Sequence, residues 1–583
     1  MEARTLNIKG VFQNNTLMSI PFYQRRYVWD EKEHKNWSRF AEDMESTMTS
    51  SCNYFLGALI LKELDLTDAE EEDGVSSKFQ VVDGQQRLTT LSIYMKALSM
   101  LSGQSVDFDA YFRRTNQQKD PTIMHNCEDR PAFNKIMQLD TPQTDFAGIN
   151  GNIIEAYLYF LDRLRKLEAS GVKLASLRNK ILSKVNFVVI QLKREDDEQQ
   201  IFDTINSLGV DLATDELLKN YLYEEQDEAA YKTSWRKMFD EENSKKFWQT
   251  DATASRQSKK RGSAVIDRFL HAFVRIKMWD FPLNEVQKKE FVKTENIYAT
   301  CKAFVETFGM SKQELAKEII SYAEIYREYL SDEVLDIRVP RHSGIKRISC
   351  FINATQTFVV LPYVLYILKN VSDTSEQNQI FDYLETYLIR RVLADANNKN
   401  YSDLFSENLI HNKTLTCQAL KDYISQRDSS VSMPSNIDIL TAMNKNKIKE
   451  NTCRIVWYLY ETKLESASNT SFTGGYNKYL AVQMMPAKCA NWPELSPIEE
   501  EANRKLLICT LGNHFLLEEP NDRTMKRVSN DTYPAKKSAM SDFITNVRSS
   551  RQFLENKNTW DLSDIRDRNL KLGNLFTTKV WKI

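Results

Sequence analysis

Short apolar runs separated by polar connections set out the first hundred residues. The runs YFLGALILKE (54–63) and FQVVD (79–83) are nearly continuous in apolar residues, which predicts buried strands. The acidic stretch between them (64–77) predicts a hairpin loop. LTTLSIYMKALSML (88–101) then has apolar residues at helical spacing and predicts an amphipathic helix. The predicted order is therefore strand, loop, strand, tight turn and helix.

Helical periodicity prevails from about residue 150 to about residue 465. Apolar residues recur three and four positions apart in NIIEAYLYFLDRLRKL (152–167), FDTINSLGVDLATDELLKNYLY (202–223), AVIDRFLHAFVRIKMW (264–279) and QIFDYLETYLIRRVL (379–393). The β-branched run KVNFVVIQLK (184–193) interrupts this pattern and predicts a strand that joins the N-terminal sheet from a distance. Nearer the N-terminus, Asp30 is expected to cap a helix over residues 31–44.

Length and composition bound the architecture. A chain of 583 residues is expected to form two to four domains. Its hydrophobic content of 42% is sufficient for packed cores, and 16 glycines and 13 prolines exclude a loop-rich or disordered chain. We predict an α+β, predominantly helical protein with divisions at 1–225, 226–465 and 466–583.

Net charge and cysteine spacing limit the binding partners, metal sites and cellular compartment that are expected for the protein. The formal net charge of −2 means that binding to nucleic acid must depend on local basic patches. The eight cysteines are scattered without C-x-x-C spacing, which argues against a structural zinc site and fits a reducing cytosol. The N-terminal MEARTLNIKGVF lacks an apolar signal core, and no run approaches the length of a membrane span. We expect a soluble, cytoplasmic protein with no membrane partner.

The turn D-G-Q-Q-R is the strongest candidate for chemistry. It stands where an apolar strand gives way to a helix N-terminus, a position that suits a phosphate because backbone N–H groups and the positive end of the helix dipole converge there. Arg87 has a planar fork that matches two phosphate oxygens. Asp83 is a candidate for a metal ion or a ribose hydroxyl, and Gln85 and Gln86 each donate and accept hydrogen bonds.

Three basic stretches have weaker signals. R-Q-S-K-K-R-G (256–262) suits DNA phosphates, but a solvated surface loop is the favoured interpretation. R-H-S-G-I-K-R (341–347) favours a phosphate contact slightly more, because Gly and Ser stand beside its cations. In L-I-R-R-V-L (388–393) we expect one arginine to face a helical core and the other to face solvent.

Three motifs in order give the chain a family resemblance. I-P-F-Y-Q-R-R-Y-V-W (20–29), V-V-D-G-Q-Q-R-L-T-T-L (81–91) and F-D-T-I-N-S-L-G-V-D-L-A-T-D-E-L-L-K-N (202–220) resemble the N-terminal domain of GmrSD-type restriction endonucleases, which defend bacteria against phage with modified DNA. The same domain appears in the phosphorothioate-sensing SspE proteins. The resemblance covers residues 1–225.

The resemblance implies a ParB/sulfiredoxin-like α/β module that binds and hydrolyses nucleoside triphosphate (NTP). The implied nucleotide site comprises Asp83, Gly84, Gln85, Gln86 and Arg87, with Tyr23, Gln24, Arg25 and Arg26 as neighbours and Asn206 and Gly209 lining the same cleft. Asp83 and Arg87 are the implied catalytic residues of this module.

The last part of the chain resembles the family's HNH nuclease domain, a ββα-metal fold. Such domains have a Glu-His-Ile-x-Pro stretch; aligned on Met485-Pro486, the His position holds Gln483 and the Glu position holds Val482. Later parts of the pattern are retained at Leu511-Gly512-Asn513, Asn521, Lys536, Trp560, Ile565, Arg568 and Leu572.

The replacement of this histidine by Gln483 affects the expected nuclease activity. The HNH histidine takes a proton from the attacking water, and glutamine does not accept one near neutral pH. Mg²⁺ held by Asn513 and Asn521 would still polarise the phosphate, but a missing base costs about 10²–10⁴-fold. His514 is the one imidazole nearby, although adjacent residues usually face apart. The resemblance therefore implies a degenerate HNH domain, and endonuclease activity is doubtful.

Two functions follow from the resemblance. One is an antiphage, type IV restriction-like protein that hydrolyses NTP and acts on modified or foreign DNA, with weak or lost nuclease activity. The alternative is a non-enzymatic nucleotide or DNA sensor, or a scaffold, that regulates a partner effector. An RNA-directed toxin is a third and weaker candidate. Homo-oligomerisation stays open, since large helical regions often provide dimer surfaces.

Overall fold

A computed structural model describes the chain except for residues 1, 14, 104, 116–118, 147, 194–195, 197–212, 225–226, 251–263, 427–429, 465–471, 487–497, 520–531 and 556. The chain divides into two compact units, Met1–Arg236 and Lys237–Ile583. Helices predominate, and the first unit contains a mixed sheet. The predicted α+β, predominantly helical class is confirmed. The three-way division and the ParB-like and ββα-metal topologies stay predictions.

Six strands form the sheet of the first unit, in the order β1-β6-β3-β4-β2-β5. Their bounds are Glu2–Asn7 (β1), Thr16–Ser19 (β2), Tyr54–Leu64 (β3), Ser77–Asp83 (β4), Ile123–Met124 (β5) and Val185–Leu192 (β6). β6 is antiparallel to β1 and parallel to β3, so the run predicted to join from a distance lies inside the sheet. β4 is antiparallel to β3 and parallel to β2.

Ten helices lie in the part of the first unit that the structure describes. They are Ile8–Val11 (α1), Asn36–Ser46 (α2), Asp68–Glu72 (α3), Gln85–Leu101 (α4), Ser105–Phe112 (α5), Arg130–Met137 (α6), Asn152–Ala169 (α7), Leu174–Lys184 (α8), Thr214–Leu222 (α9) and Glu228–Thr233 (α10). The hairpin predicted between β3 and β4 is confirmed, and α3 lies within its connection.

The position of α2 differs from the expectation. The helix begins at Asn36, five residues later than predicted, and Asp30 does not cap it. The Asp30 carboxylate instead accepts from the backbone N–H groups of Glu33 and His34, at 2.7 and 3.2 Å. These bonds stabilise a turn before the helix, because an aspartate side chain competes with helical backbone hydrogen bonding.

Helix α4 is also not amphipathic. Every residue from Leu88 to Ser99 is buried, including Lys96, whose ammonium group lies 4.8 Å from the centroid of the Phe108 ring. Burial lowers the pKa of Lys96 to about 8. The helix lies in the main hydrophobic core with the sheet residues Leu59, Val81 and Phe187 and packs against α7, so it has no solvent face for polar residues to mark.

The second unit is built largely from helices. They are Glu242–Gln249 (α11), Val265–Lys277 (α12), Glu285–Phe291 (α13), Ile297–Glu306 (α14), Lys312–Tyr329 (α15), Gly344–Thr355 (α16), Leu361–Asn370 (α17), Thr374–Leu393 (α18), Tyr401–Asp403 (α19), Leu409–His411 (α20), Cys417–Ser425 (α21), Asn436–Ala442 (α22), Glu450–Leu464 (α23), Ile498–Leu507 (α24), Tyr533–Ser541 (α25), Arg548–Glu555 (α26) and Leu562–Leu575 (α27). Two antiparallel strands, Tyr479–Gln483 (β7) and His514–Glu518 (β8), complete it.

A buried ion pair joins α16 to α18. Arg347 and Glu385 are both fully buried, and the guanidinium donates to the carboxylate at 2.6 and 2.9 Å. Trp581 Nε1 donates to the same carboxylate at 2.7 Å, which attaches the C-terminal segment to α18. The expectation that the stretch 341–347 favours a phosphate contact is therefore wrong for Arg347, whose charge is neutralised inside the unit.

The two arginines of L-I-R-R-V-L are both buried, so the expectation that one faces solvent is wrong. Arg390 donates to the carbonyls of Pro434 and Trp581, and Arg391 donates to the carbonyls of Ser432 and Ser430. Carbonyl acceptors replace water for both guanidinium groups, because irregular segments of the chain pass over both of them.

Within the described residues, no helix is both long enough and apolar enough to cross a membrane.

We expect Glu385→Gln to lower the free energy of unfolding by about 3–5 kcal/mol, because it leaves Arg347 buried without its counter-charge. Lys463→Gln is the matched control: its Nζ lies 3.2 Å from the same carboxylate, but its side chain is partly exposed, so a loss of about 1 kcal/mol or less is expected. Urea unfolding at pH 7 measures both. Equal losses would contradict the assignment.

The same pair predicts acid sensitivity. Burial alone would raise the pKa of Glu385, but the charges of Arg347 and Lys463 outweigh it and lower the pKa to about 2. The folded pKa lies below the ordinary value of 4.5, so the stabilisation is present above about pH 4.5 and is lost as the pH falls towards 2. In Glu385→Gln this component of the acid unfolding curve is expected to disappear.

Candidate functional site

The D-G-Q-Q-R turn joins β4 to α4 through a left-handed residue. Asp83 ends β4, Gly84 has a φ of +101°, and α4 begins at Gln85. A Cβ at position 84 would lie 2.9 Å from Leu59 Cδ1 of β3, so both the backbone conformation and the close approach favour glycine. No side chain caps the helix N-terminus. Its first-turn N–H groups are therefore the donors that an anion at this point would meet.

Arg87 lies against β3, an inner strand of the sheet, beside this turn. Its Nη2 atom is 2.9 Å from Asp83 Oδ2, and the two side chains are 24% and 33% exposed. A Cβ at Gly57 of β3 would lie 2.0 Å from Arg87 Nη1, so the absence of a side chain there lets the guanidinium lie directly on the strand. The sequence prediction brought these two residues to one place, and the structure does the same.

The two glutamines of the turn hold a neighbouring backbone segment. Gln85 Nε2 donates to the carbonyl of Arg25 at 3.2 Å, and Gln86 Nε2 donates to the carbonyl of Arg26 at 3.1 Å. Gln86 Oε1 also accepts from the N–H of Val28 at 2.9 Å. Both amides therefore position the segment Phe22–Trp29 against the first turn of α4.

The other predicted neighbours attach this segment to β4. Gln24 Nε2 donates to the carbonyls of Val81 and Val82, at 2.7 and 3.2 Å. Tyr23 is buried, and its hydroxyl accepts from Gln80 Nε2 at 3.0 Å. Tyr23 and Gln24 thus lie close to the turn but act on the sheet.

Arg25 and Arg26 have different surroundings. The Arg26 guanidinium forms an ion pair with Glu128 and is half exposed. The Arg25 side chain is partly buried, and it forms no hydrogen bond or ion pair with any residue that the structure describes. Arg25 can therefore meet a ligand without losing a described partner, whereas Arg26 would first have to leave Glu128.

The turn between β5 and α6 also belongs to the site, and sequence reasoning missed it. Asn126 Nδ2 donates to the carbonyl of Gln24 at 3.4 Å, and Asp129 Oδ2 accepts from the N–H of Tyr27 at 2.7 Å. Glu128 is the partner of Arg26. The sequence signal is the polar run H-N-C-E-D after a short apolar strand, but its partners are about a hundred residues away.

His125 connects this turn to α4 through the core. Its Nε2 lies 3.1 Å from Thr89 Oγ1, and the Thr89 hydroxyl donates to the carbonyl of Gln85 at 2.7 Å. Complete burial lowers the pKa of His125 to about 3, so the ring is neutral at physiological pH. It contributes a hydrogen bond to Thr89 of α4 and no charge.

Comparison with known families decides the affiliation of this unit. Residues 8–223 match the model of the GmrSD restriction endonuclease, N-terminal domain. This stretch is a GmrSD N-terminal domain. The match contains the turn, the segment Phe22–Trp29 and the β5–α6 turn, so this part of the chain is similar to a domain of a restriction endonuclease. No curated protein matches the chain.

Part of the GmrSD motif set falls outside the described residues. Asn206 and Gly209 lie in the stretch 197–212, so the structure does not place them beside the turn. Asn521 and the stretch 529–531 of the C-terminal pattern are likewise outside it. The described end of the third motif is the helix α9.

The second unit, beyond the GmrSD match, brings together several residues of the pattern that the sequence predicted to be HNH-like. Asn513 is fully buried, and its Oδ1 accepts from the N–H of Met485 at 2.9 Å and from Trp560 Nε1 at 3.2 Å. Its Nδ2 donates to the carbonyls of Met485 and Ile508, both at 2.9 Å. The amide has used both lone pairs and both protons, so no free oxygen lone pair is left for a cation.

Arg568 supports the same cluster from α27. It is fully buried, and its Nη1 donates to the carbonyls of Gly512 and His514, at 2.8 and 2.9 Å. The guanidinium carbon lies 3.7 Å from the centroid of the Phe515 ring, and burial lowers the pKa to about 9. Lys536 is also buried. These residues stabilise the end of the chain around the β7–β8 pair.

Gln483 and His514 are opposite each other across β7 and β8. His514 is buried, and its Nδ1 lies 2.8 Å from the carbonyl of Thr510. Burial lowers the pKa of His514 to about 4, so the imidazole is neutral and turned into the core. This environment is typical of a core histidine. Across the residues with described coordinates, no group of three His, Cys, Asp or Glu residues could hold a metal ion.

Replacing Gly84 by alanine is expected to destabilise the first unit more than the same change at Gly103. Both glycines have positive φ, +101° and +72°, so each change adds about 1–2 kcal/mol of backbone strain. A Cβ at Gly103 meets nothing within 4 Å, whereas one at Gly84 meets Leu59. We expect a further loss of about 1–3 kcal/mol at Gly84 in urea unfolding. Equal losses would show that the close approach to β3 has no energetic weight.

Proposed function

We propose that the GmrSD N-terminal domain binds the phosphates of an NTP at the D-G-Q-Q-R turn. The proposal rests on the partly exposed ion pair between Arg87 and Asp83, which lies beside a helix N-terminus that no side chain caps. Among the described residues, Arg87 has one ion-pair partner, a partly exposed carboxylate, and it can exchange that partner for a phosphate, which offers more charge and more acceptor oxygens. Arg25, whose backbone Gln85 fixes beside the same turn, supplies a second guanidinium.

The residues at this turn also fit a magnesium ion. Mg²⁺ is usually held by one or two carboxylates together with phosphate oxygens, and Asp83 is a partly exposed carboxylate that loses its partner when Arg87 turns to phosphate. Mg²⁺ would neutralise phosphate charge at this point. Asp83 would hold the ion, Arg87 and Arg25 would bind phosphate oxygens, and Gln85 and Gln86 would keep the Arg25–Val28 backbone in place.

Hydrolysis and DNA recognition are the finer parts of the proposal. In phosphoryl transfer the protein mainly positions the groups and stabilises charge, a task that suits two guanidinium groups and a carboxylate. The membership in a restriction-system family supports a link between NTP turnover and modified or foreign DNA. We propose that such DNA is the partner that turnover serves.

We expect Arg87→Ala to weaken the binding of a non-hydrolysable NTP analogue with Mg²⁺ by about 10–100-fold, because a charge-assisted hydrogen-bond partner is lost. Arg87→Lys keeps the charge but loses the fork and should lie between. Arg163→Ala is the control: Arg163 is 27% exposed and pairs with Glu45 at 2.7 Å, far along the chain from the turn. Calorimetric titration measures all three. Equal affinity in Arg87→Ala and the parent would remove the proposed site.

The second unit favours a second candidate function, a nucleotide or DNA sensor that regulates a separate effector. The supporting observation is that Asn513 and His514 have all of their described polar contacts inside the core, while Gln483 occupies the position of the base. Because these side chains form hydrogen bonds within the core, they support a structural role for the second unit and not a nuclease active site.

Incubation of supercoiled plasmid with the full chain and Mg²⁺ or Mn²⁺ tests this candidate. We expect no nicking by the parent, by Gln483→His or by the control Gln483→Asn, because a restored imidazole alone does not release Asn513 from its hydrogen bonds. Metal-dependent nicking that appears only in Gln483→His would identify a weakened nuclease with its geometry preserved, and nicking by the parent would reject the sensor.

A further inference from the structure

The segment Phe22–Trp29 lies between the proposed nucleotide turn and the last helices of the first unit. On one side, Gln85 and Gln86 bind its backbone. On the other side, the ring of Phe22 packs against Tyr231 of α10, with centroids 5.0 Å apart. A change at the turn therefore has a short physical route to the helices that end this unit.

Glu128 is the charged connection on that second side. Its carboxylate forms an ion pair with Arg26 Nε, and its Oε1 atom also accepts from Arg236 Nε at 3.1 Å and lies 3.0 Å from Arg236 Nη2. Arg236 is the last residue of the first unit. Two guanidinium groups thus share one carboxylate, which is largely buried between them, while Arg26 is half exposed.

Arg26 shares its ion-pair partner with Arg236, and the carboxylate of Asp129, which accepts from the N–H of Tyr27, is a second negative charge near Arg26. The described ion pairs give the two arginines, with two positive charges, a single negative partner in Glu128. A doubly charged group such as a terminal phosphate near Arg26 would compete for the more exposed of the two. The Arg26 backbone is already fixed beside α4 by Gln86, so the exchange requires movement of the side chain alone.

We propose that Glu128 competes with the nucleotide for Arg26. In the nucleotide-free state Glu128 holds Arg26 and Arg236 together. When a triphosphate binds, Arg26 exchanges the carboxylate for a phosphate oxygen, and Glu128 stays with Arg236 alone. The proposal rests on the nucleotide site proposed above and assigns that site its regulation: occupancy is reported to the end of the first unit through one shared carboxylate.

Two substitutions have opposite expected effects, which separates exchange from simple structural support. Glu128→Gln removes the competing charge at constant shape and is expected to tighten binding of the Mg²⁺ complex of a non-hydrolysable NTP analogue by roughly fivefold. Arg236→Gln removes the second partner of Glu128, so the carboxylate pairs with Arg26 alone and holds it more strongly. Binding of the same nucleotide complex is expected to weaken by a similar factor. A residue that only supports the fold would weaken binding in both variants.

The control is Glu45→Gln, which removes a carboxylate bound by Arg163 at 2.7 and 2.9 Å in the same unit, and it should leave the affinity unchanged. In an Arg26→Ala background, Glu128→Gln should have no further effect on affinity. Amide hydrogen exchange over residues 228–236 should respond to nucleotide in the parent and not in Glu128→Gln.

The outcomes are distinguishable. If the parent binds no nucleotide, the proposed site fails and the exchange fails with it. If the parent binds nucleotide through Arg87 but Glu128→Gln binds equally or more weakly, the site stands and the exchange is overturned. If Glu128→Gln does not fold, Arg236→Gln decides: unchanged or tighter binding by that variant overturns the exchange.

Discussion

Hydrogen bonds from the amides of Gln85 and Gln86 to the carbonyls of Arg25 and Arg26 determine the shape of the N-terminal site. They require α4 to begin at one fixed place, and the left-handed Gly84 between β4 and the helix provides that. Because Gly84 also lies against Leu59 of β3, the strand, the turn and the arginine segment are positioned together. A charged ligand would meet a preorganised site, which lowers the entropic cost of binding.

The second unit buries several arginine side chains, and each of their charged groups needs acceptors or ring contacts inside the protein. Arg347 has a carboxylate, but Arg390 and Arg391 are satisfied chiefly by backbone carbonyls, and Arg568 lies against aromatic rings. Each of these arginines connects segments that are far apart in sequence. A guanidinium with several donors fixes irregular chain more tightly than an apolar side chain would, at the cost of strict requirements on its acceptors.

The spacing of apolar residues predicted a strand or helix correctly where the element has the same buried and exposed faces along its whole length. The apolar runs of β3, β4 and β6 and the helices α7, α12 and α18 follow from the sequence, because strands and helices of this length must bury their apolar positions. The same spacing was misleading at α4, which was predicted to be amphipathic but is buried on all sides. At α2 the predicted start was wrong, because Asp30 stabilises a turn before the helix. The two arginines of L-I-R-R-V-L were misassigned because carbonyls from distant segments replace solvent around both of them.

The α+β class, the family of residues 8–223 and the proximity of Asp83 and Arg87 could be read from the amino-acid order, because Asp83 and Arg87 flank a single strand-to-helix turn at Gly84. The contacts of the neighbouring side chains depend on the folded chain. The residues that decide whether a glutamine binds a ligand or a backbone carbonyl, and whether an arginine pairs with Glu128 or has no described partner like Arg25, are about 60 to 102 positions away in the chain. Hydrogen-bond partners at that separation leave no periodic mark in the sequence.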